Sequence, residues 1–178
     1  AARVCNCAFH LMPFAKHLQT VVRRLFDRTE GQTALATYVI LDAARHESIY
    51  KKMLEAGHGD GCLYRGDKAK ALAEVAPYLV LLKREEAFTE WVINTGWGNS
   101  WGIFLESGAS PVELKRHFGK FIIVSTEKGE SFYFRFYDPR VLRVYLPSCN
   151  RKELKTVFGP VQSYFMENQD GSFLEFTH

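Results

Sequence analysis

At 178 residues, with 47% hydrophobic and 14% aromatic content, the chain is long enough for one well-buried domain and too short for two comfortable ones. Its 23 basic and 20 acidic residues leave a net charge of only +3, without a long basic run, so composition does not indicate a surface for nucleic acid or an anionic membrane. No apolar run reaches membrane-spanning length and the first residues lack the order of a signal peptide, so we expect a cytoplasmic protein without membrane insertion.

The cysteines are too few and too scattered to form a disulfide framework, and they fit reduced thiols in the cytosol. They lie at Cys5, Cys7, Cys62 and Cys149. The first two, with His10 and His17, lack the usual spacing of a zinc site. The sequence therefore predicts no metal and no cofactor.

The first predicted elements are a helix, a buried strand and a second helix. Apolar residues at helical spacing predict an amphipathic helix from about residue 14 to residue 27, and Tyr38–Leu41 is typical of a fully buried strand. A helix is expected around residues 47–56. Asp42 directly follows the strand, three residues before Arg45, and could be catalytic, a helix cap or half of an ion pair. We favour the cap or the ion pair, because no second carboxylate, nucleophile or phosphate loop is visible nearby.

Strands and helices then alternate as far as residue 105. The pattern predicts a short strand at 62–64, a short helix at 68–75, a strand at 78–82, a helix at 88–95 and a strand at 103–105. This alternation predicts a mixed, partly parallel sheet with a βαβ-like first half and covering helices.

Between the last helix and strand of that series lies Gly96-Trp97-Gly98-Asn99-Ser100-Trp101-Gly102. Three glycines interleaved with two indoles predict a tight joint at the edge of the core. We expect one of Trp97 and Trp101 to fill the core and the other to lie at or near a partner surface.

Asn99-Ser100-Trp101-Gly102 also matches the segment by which papain-like proteases present the asparagine that orients their catalytic histidine. A cysteine hydrolase is therefore an alternative. Such an enzyme needs a cysteine on a helix N-terminus and a histidine to accept its proton. None of the cysteines has that setting, and the nearest upstream histidine, His58, is far away in the sequence. We expect no enzymatic activity.

The second half is rich in hairpins. Ser110 and Glu113 form a capping box that predicts a helix as far as about Phe118. Asp138 is expected to cap a helix ending near Pro147. Residues 150–159 predict a further capped helix, and the last elements form a second hairpin from residues 161–166 and 172–176.

The first hairpin of this half is predicted from residues 121–124 and 132–137. Within it, phenylalanines alternate with Tyr133, Arg135 and Tyr137. We expect the phenylalanine face to enter the core and the tyrosine–arginine face to contact a protein partner.

Together these elements predict a single domain of mixed α/β (α+β) class. Residues 1–37 would form an N-terminal helix and linker, residues 38–167 the core, and residues 168–178 a C-terminal hairpin strand or tail.

Five stretches occur in an order that resembles one family: Tyr38–Arg45, Cys62–Arg65, Ala76–Leu79, Gly96–Gly102 and Phe134–Arg140. The family is that of the bacterial type VI secretion effector adaptors, also called effector chaperones, which are encoded beside spike and toxin genes. The resemblance covers about residues 38–165. It implies a non-enzymatic cytoplasmic adaptor that binds a toxin effector and loads it onto a VgrG-type spike. A generic nucleic-acid-associated domain is the remaining alternative.

The resemblance also implies a set of signature positions, which we expect to form a scaffold of ion pairs and aromatic contacts, because no nucleophile–base pair can be assembled from them. They are Asp42, Arg45, Tyr64, Arg65, Trp97, Ser100, Trp101, Tyr137, Asp138 and Arg140. The candidate protein-binding residues are Trp97, Trp101, Tyr133, Arg135 and Tyr137.

Overall fold

The computed structural model describes residues 18–27, 35–125 and 131–177. The helices in this part of the chain are α1 (Gln19–Phe26), α2 (Glu47–Glu55), α3 (Asp67–Ala71), α4 (Ala87–Gly96), α5 (Pro111–Phe118), α6 (Pro139–Ser148) and α7 (Arg151–Phe158). The strands are β1 (Ala36–Asp42), β2 (Pro77–Leu82), β3 (Gly102–Ser107), β4 (Ile123–Ser125), β5 (Ser131–Tyr133), β6 (Val161–Glu167) and β7 (Phe173–Thr177). No helix within these ranges is long and apolar enough to cross a membrane.

Five strands form one sheet in the order β2-β1-β3-β6-β7, and β4 pairs with β5 in a separate ribbon. The α+β single-domain class is confirmed, but the expected parallel pairing is wrong, because every strand pair in the described residues is antiparallel. β2 and β3 do run in the same direction and are joined by α4, as in a βαβ unit. However, β1 lies between them and pairs with both, so the two parallel strands are not neighbours.

The interior strand β1, which pairs with β2 and β3, is buried on both faces of the sheet. Val39 and Leu41 belong to a core closed by α1, α2 and α4, whereas Tyr38 and Ile40 belong to a second core closed by α5, α6 and α7. Successive side chains of a strand point to opposite faces, so a strand between two helical layers must be apolar at every position. This arrangement explains the continuous apolar run.

Several predicted elements are confirmed near their expected bounds. The capping boxes of α5 and α7 are both present, and the hairpin of β6 and β7 forms. α1 carries the buried Val21, Val22 and Leu25, while the start of the predicted helix, before residue 18, lies outside the described residues.

Other predicted elements differ from the structure. The strand expected at residues 62–64 is a single bridge between Cys62 and Tyr78. The helix expected at residues 68–75 breaks at Leu72 into α3 and a short 3-10 turn. The strand expected at residues 132–137 ends at Tyr133, after which the chain leaves the ribbon and turns into α6.

Candidate functional site

Most signature positions lie around one end of the main sheet, where β1 and β6 finish and β3 begins. The register pairs Leu41 with Gly102, and the amide of Asp42 donates to the carbonyl of Trp101 across 2.8 Å. Because β6 runs antiparallel to β3, Glu167 at its last position reaches the same edge. We call this region the Asp42 end of the sheet.

Asp42 is a buried carboxylate that both caps a turn and forms an ion pair. One oxygen accepts a hydrogen bond from the Ala44 amide at 3.1 Å, and the other accepts from the guanidinium of Arg135. The Asp42 side chain is 1% exposed and that of Arg135 is 44% exposed. Burial alone would lower the pKa of Arg135, but the hydrogen bond and charge of Asp42 outweigh it and raise that pKa. The expected cap and ion pair are thus both formed, with Arg135 as the partner instead of the nearer Arg45.

Two tyrosines lie beside this pair and share a hydrogen bond. Burial raises the pKa of Tyr64, which the hydrogen bond from Tyr137 only partly offsets. Burial also raises the pKa of Tyr137, and the neighbouring Tyr64 and Asp42 add to the effect. Both phenols are therefore neutral at ordinary pH and act as hydrogen-bonding groups within the scaffold.

Asp138 caps α6 as the sequence predicted. Its carboxylate accepts from the Arg140 amide at 2.9 Å and from the Arg140 guanidinium at 3.0 and 2.6 Å. Burial favours the protonated carboxyl, but these hydrogen bonds and the charges of Arg140 and Arg135 outweigh it and lower the pKa of Asp138. Both residues of this pair are thus occupied in holding the start of the helix.

The loop between α4 and β3, residues 97–101, is held by Glu167 of β6. We call it the glycine–tryptophan loop. The Glu167 carboxylate accepts from the amides of Gly98 and Ser100, the latter at 2.9 Å, and from the Ser100 hydroxyl at 3.0 Å. Ser100 has a φ of 53°, a left-handed conformation that is uncommon for any residue other than glycine. Three hydrogen bonds to one carboxylate thus maintain a backbone that local preference does not favour.

The two indoles of this loop have different surroundings. Trp101 is buried, and its ring lies 4.9 Å from that of Trp91. Trp97 is half-buried, stacks on Phe173 of β7 at 5.8 Å and donates its indole N–H to the Gly171 carbonyl at 2.9 Å. Trp101 therefore occupies the core, and Trp97 attaches the loop to the last hairpin.

Asn99 contacts the end of α4 and Arg45. Its side-chain amide donates to the Thr95 carbonyl at 2.7 Å, and its own carbonyl accepts from Arg45 at 3.3 Å. The described cysteines lie elsewhere, since Cys62 bridges to β2 and the Cys149 thiol donates to the Tyr145 carbonyl at 3.3 Å. The asparagine of the protease-like segment is thus occupied in terminating α4.

The predicted tyrosine–arginine face does not form as one surface. Tyr133 is 50% exposed and Tyr137 is buried. Arg135 lies beyond the ribbon and forms an ion pair with Asp42. The phenylalanine face is confirmed only in part, because Phe136 is 3% exposed and Phe134 packs against the second core, whereas Phe132 is 53% exposed. Alternation requires an extended backbone over the whole segment, and this strand stops at Tyr133.

Two features of the site were missed from the sequence. Glu167 stands at a strand end before a turn, a position that gives no sign of its distant hydrogen-bond partners. The second feature is a group of basic side chains near Arg65, namely Lys115 and Arg116 of α5. The sequence predicted that helix from its capping box, which gives no sign that the helix lies beside Arg65. Arg65 itself lies against the C-terminal end of α5, near Gly119.

The described residues contain no group of three or more histidine, cysteine or acidic side chains that could hold a metal ion. The cysteine–histidine group considered near the start of the chain lies outside the described residues.

Comparison with known proteins identifies a family. A family described as a domain of unknown function, DUF4123, matches residues 37–156, which is more than half of the chain. The matched region contains all but the first residue of β1, the glycine–tryptophan loop and the Asp138 cap. No curated protein and no solved structure matches. The chain thus belongs to the DUF4123 family.

Proposed function

We propose that this protein is a non-enzymatic adaptor of a bacterial type VI secretion system. In the cytoplasm it binds a toxin effector and loads it onto a VgrG-type spike protein. The family match carries this proposal, because residues 37–156 include all five stretches on which the resemblance to effector adaptors rests.

The chemistry of the Asp42 end of the sheet supports a scaffold role. Asp42 and Asp138 are bound by arginines, and Glu167 is bound by backbone amides. A catalytic acid or base needs a partner that substrate can replace or a proton that it can transfer near neutral pH. These carboxylates instead hold a turn, a helix start and a loop, which favours binding over catalysis.

The direct test is reconstitution with the proteins encoded beside this chain. The tagged chain would be co-expressed with the neighbouring toxin, made inactive, and with the neighbouring spike, and complexes would be separated by size-exclusion chromatography. We expect one complex that contains the adaptor and the toxin, and a larger one that also contains the spike.

Specificity is checked with a toxin and a spike from an unrelated gene cluster, which we expect to elute separately. Deleting the adaptor gene should abolish delivery of its own toxin while other toxins are still delivered. If the folded chain binds neither neighbouring protein and its deletion leaves delivery unchanged, the adaptor function is wrong.

A further inference from the structure

A depression of about 320 Å³ lies between residues 62–65, which follow a 3-10 turn at Gly59–Gly61, and helix α5. We call it the basic depression. Its lining residues are Cys62, Leu63, Tyr64, Arg65, Val112, Lys115 and Arg116. Three of the seven are basic, and they project from two separate elements toward the same space.

The walls of the basic depression are held by the main fold. The Leu63 amide donates to the Pro77 carbonyl at 2.9 Å, which ties one wall to β2. On the other wall, the ammonium group of Lys115 donates to the Asp60 carbonyl. The Arg65 guanidinium lies so close to Gly119 that a Cβ added there would come within 3.0 Å of it. The Leu63 backbone and the Lys115 ammonium group are therefore held before any ligand binds, which lowers the entropic cost of binding.

The positive charge of this depression is not neutralised by a described carboxylate. None of Arg65, Lys115 and Arg116 forms a salt bridge within the described ranges. The acidic group that interacts with Arg116 is Glu113, whose carboxylate already accepts hydrogen bonds from the Ser110 amide and hydroxyl. Three cations with so little compensation attract a ligand that carries several negative charges.

Apolar surface continues out of the depression. Val112 on its rim is 66% exposed. The Tyr64 ring lies 6.0 Å from that of Tyr133, which pairs with the exposed Ile123 across the β4–β5 ribbon. Small-molecule sites enclose most of their ligand, whereas a shallow charged pocket that runs into exposed apolar surface suits a protein segment.

Tyr133, the exposed tyrosine on this surface, is poorly placed to stack on a nucleic-acid base. The Lys68 ammonium donates to the Tyr133 hydroxyl at 2.8 Å and lies 5.1 Å from the centre of its ring. The hydroxyl edge of the Tyr133 ring is thus engaged by a lysine of the same chain, and the Tyr64 ring lies 6.0 Å from it. Single-stranded nucleic acids are instead bound mainly through free aromatic faces.

We propose that the basic depression binds an acidic segment of a partner protein, in which carboxylate side chains alternate with apolar ones. The carboxylates pair with Arg65, Lys115 and Arg116, and the apolar side chains contact Val112 and the ribbon. This inference deepens the adaptor function and depends on it only for the identity of the partner.

The binding test uses the full chain and a short fluorescein-labelled peptide in which glutamate alternates with leucine. We expect saturable binding by fluorescence anisotropy that weakens as salt is added, because the contacts are ionic. Arg65→Glu and Arg116→Glu should each weaken binding at least about tenfold, since each adds a repulsive charge as well as removing an attractive one. Two variants are needed because Arg65→Glu places a negative charge at the end of α5, where it could affect folding.

Matched controls come from α7, where Arg151 and Lys152 are exposed. Arg151→Glu and Lys152→Glu make the same charge change away from the depression and should leave peptide binding unchanged. The inference is overturned if Arg116→Glu and Arg151→Glu bind the peptide equally. It is also overturned if a single-stranded oligonucleotide of equal charge binds more tightly and shows the same dependence on Arg116.

The same variants separate this inference from the adaptor function. Loss of the neighbouring toxin or spike with Arg116→Glu, but not with Arg151→Glu, would show that the depression holds that partner. If the wild-type chain binds the acidic peptide at this site but binds neither neighbouring protein, the depression is a peptide-binding site and the adaptor function is wrong.

Discussion

At the scale of single residues, each buried carboxylate at the Asp42 end of the sheet has a specific partner. Asp42, Asp138 and Glu167 are all nearly inaccessible to solvent. An ionised carboxylate in such surroundings is strongly disfavoured unless it is paired or accepts several hydrogen bonds. The arginines and backbone amides around these groups are therefore structural requirements of the fold.

The first prediction concerns the pair of Asp42 and Arg135. Arg135→Ala leaves the Asp42 carboxylate buried without its cation, so the free energy of unfolding should fall by about 2 kcal/mol. The loss is smaller than for a fully buried pair because water reaches the guanidinium, which is 44% exposed. Urea unfolding of the variant and the wild type measures this difference.

A double-mutant cycle with Asp42→Ala distinguishes loss of the pair from a general effect of truncation. Once Asp42 is absent, Arg135→Ala should cost much less, because no buried charge is left unpaired. Arg151→Ala, at an exposed position, is the matched control and should change stability little. Equal costs of Arg135→Ala with and without Asp42 would contradict the pairing.

At the scale of elements, the glycine–tryptophan loop shows how a segment without regular structure is held in place. It joins α4 to β3 and donates hydrogen bonds to the carboxylate of Glu167, which lies 67 positions from Ser100 in the chain. Glu167 is 7% exposed, and its one carboxylate accepts from two backbone amides of the loop. The loop and the end of β6 thus form one unit.

The second prediction is that Glu167 controls local opening of this loop. In Glu167→Gln the amide group removes one acceptor and places a donor against the backbone amides, so their hydrogen bonds should weaken. We expect hydrogen exchange at Gly98 and Ser100 to accelerate at least about tenfold. The amide of Ile40, in the centre of the sheet, should respond much less.

Glu153→Gln is the matched control, because Glu153 caps the exposed start of α7 away from the loop. It should leave exchange at Gly98 and Ser100 unchanged. If Glu167→Gln accelerates exchange no more at those two amides than at Ile40, Glu167 has no specific role in ordering the loop.

At the scale of the whole molecule, helices of one layer are joined by contacts between elements far apart in sequence. His117 of α5 is buried, and its Nε2 lies 3.0 Å from the Val157 carbonyl of α7. A Cβ at Gly159 would meet the imidazole at 2.3 Å, so glycine permits this close approach. The histidine therefore joins two helices of the second core.

The third prediction is a loss of stability in mild acid. Burial lowers the pKa of His117 below its ordinary value of 6.5, the charge of Lys120 adds to this, and the contact with the Val157 carbonyl only partly opposes it. Below about pH 6.5 the unfolded chain thus binds a proton that the folded chain resists, so the free energy of unfolding falls as the pH decreases. The decrease attributable to this group is at most about 1.4 kcal/mol per pH unit, down to the folded pKa.

Urea unfolding of the wild type and of His117→Gln between about pH 7 and pH 5 checks this prediction. The variant should be less stable at pH 7, because it fits the site less well, but should lose less stability on acidification. Parallel curves for the two proteins would show that His117 does not contribute to the acid sensitivity.

Much of the fold could be predicted from local signals. The caps at Ser110, Asp138 and Asn150 require only residues within one helical turn, and all three are present. The apolar run of β1 and the hairpin of β6 and β7 were also recognisable, because burial pattern and turn residues act over short distances.

The candidate site was predictable only in part. The cap at Asp138 was assigned correctly. The pairing of Asp42 with Arg135 was not, because 93 positions separate the two residues and nothing near Arg135 indicates a buried partner. The same holds for Glu167. The extent of the strand after Ser131 was also misjudged, since alternation continues in the sequence where the backbone has already left the ribbon.

The sequence by itself determined the kinds of elements in this protein, their caps and the family to which it belongs. Those properties depend on neighbouring residues and on motifs that can be read in order. Tertiary structure alone decided that β1 lies between β2 and β3 and that Arg65 lies near the basic side chains of α5. It also decided that Asp42 pairs with Arg135 and that Glu167 binds the amides of the glycine–tryptophan loop. Each of these depends on which segments pack together. That choice is made by the total burial of apolar surface over the whole chain, which no local pattern specifies.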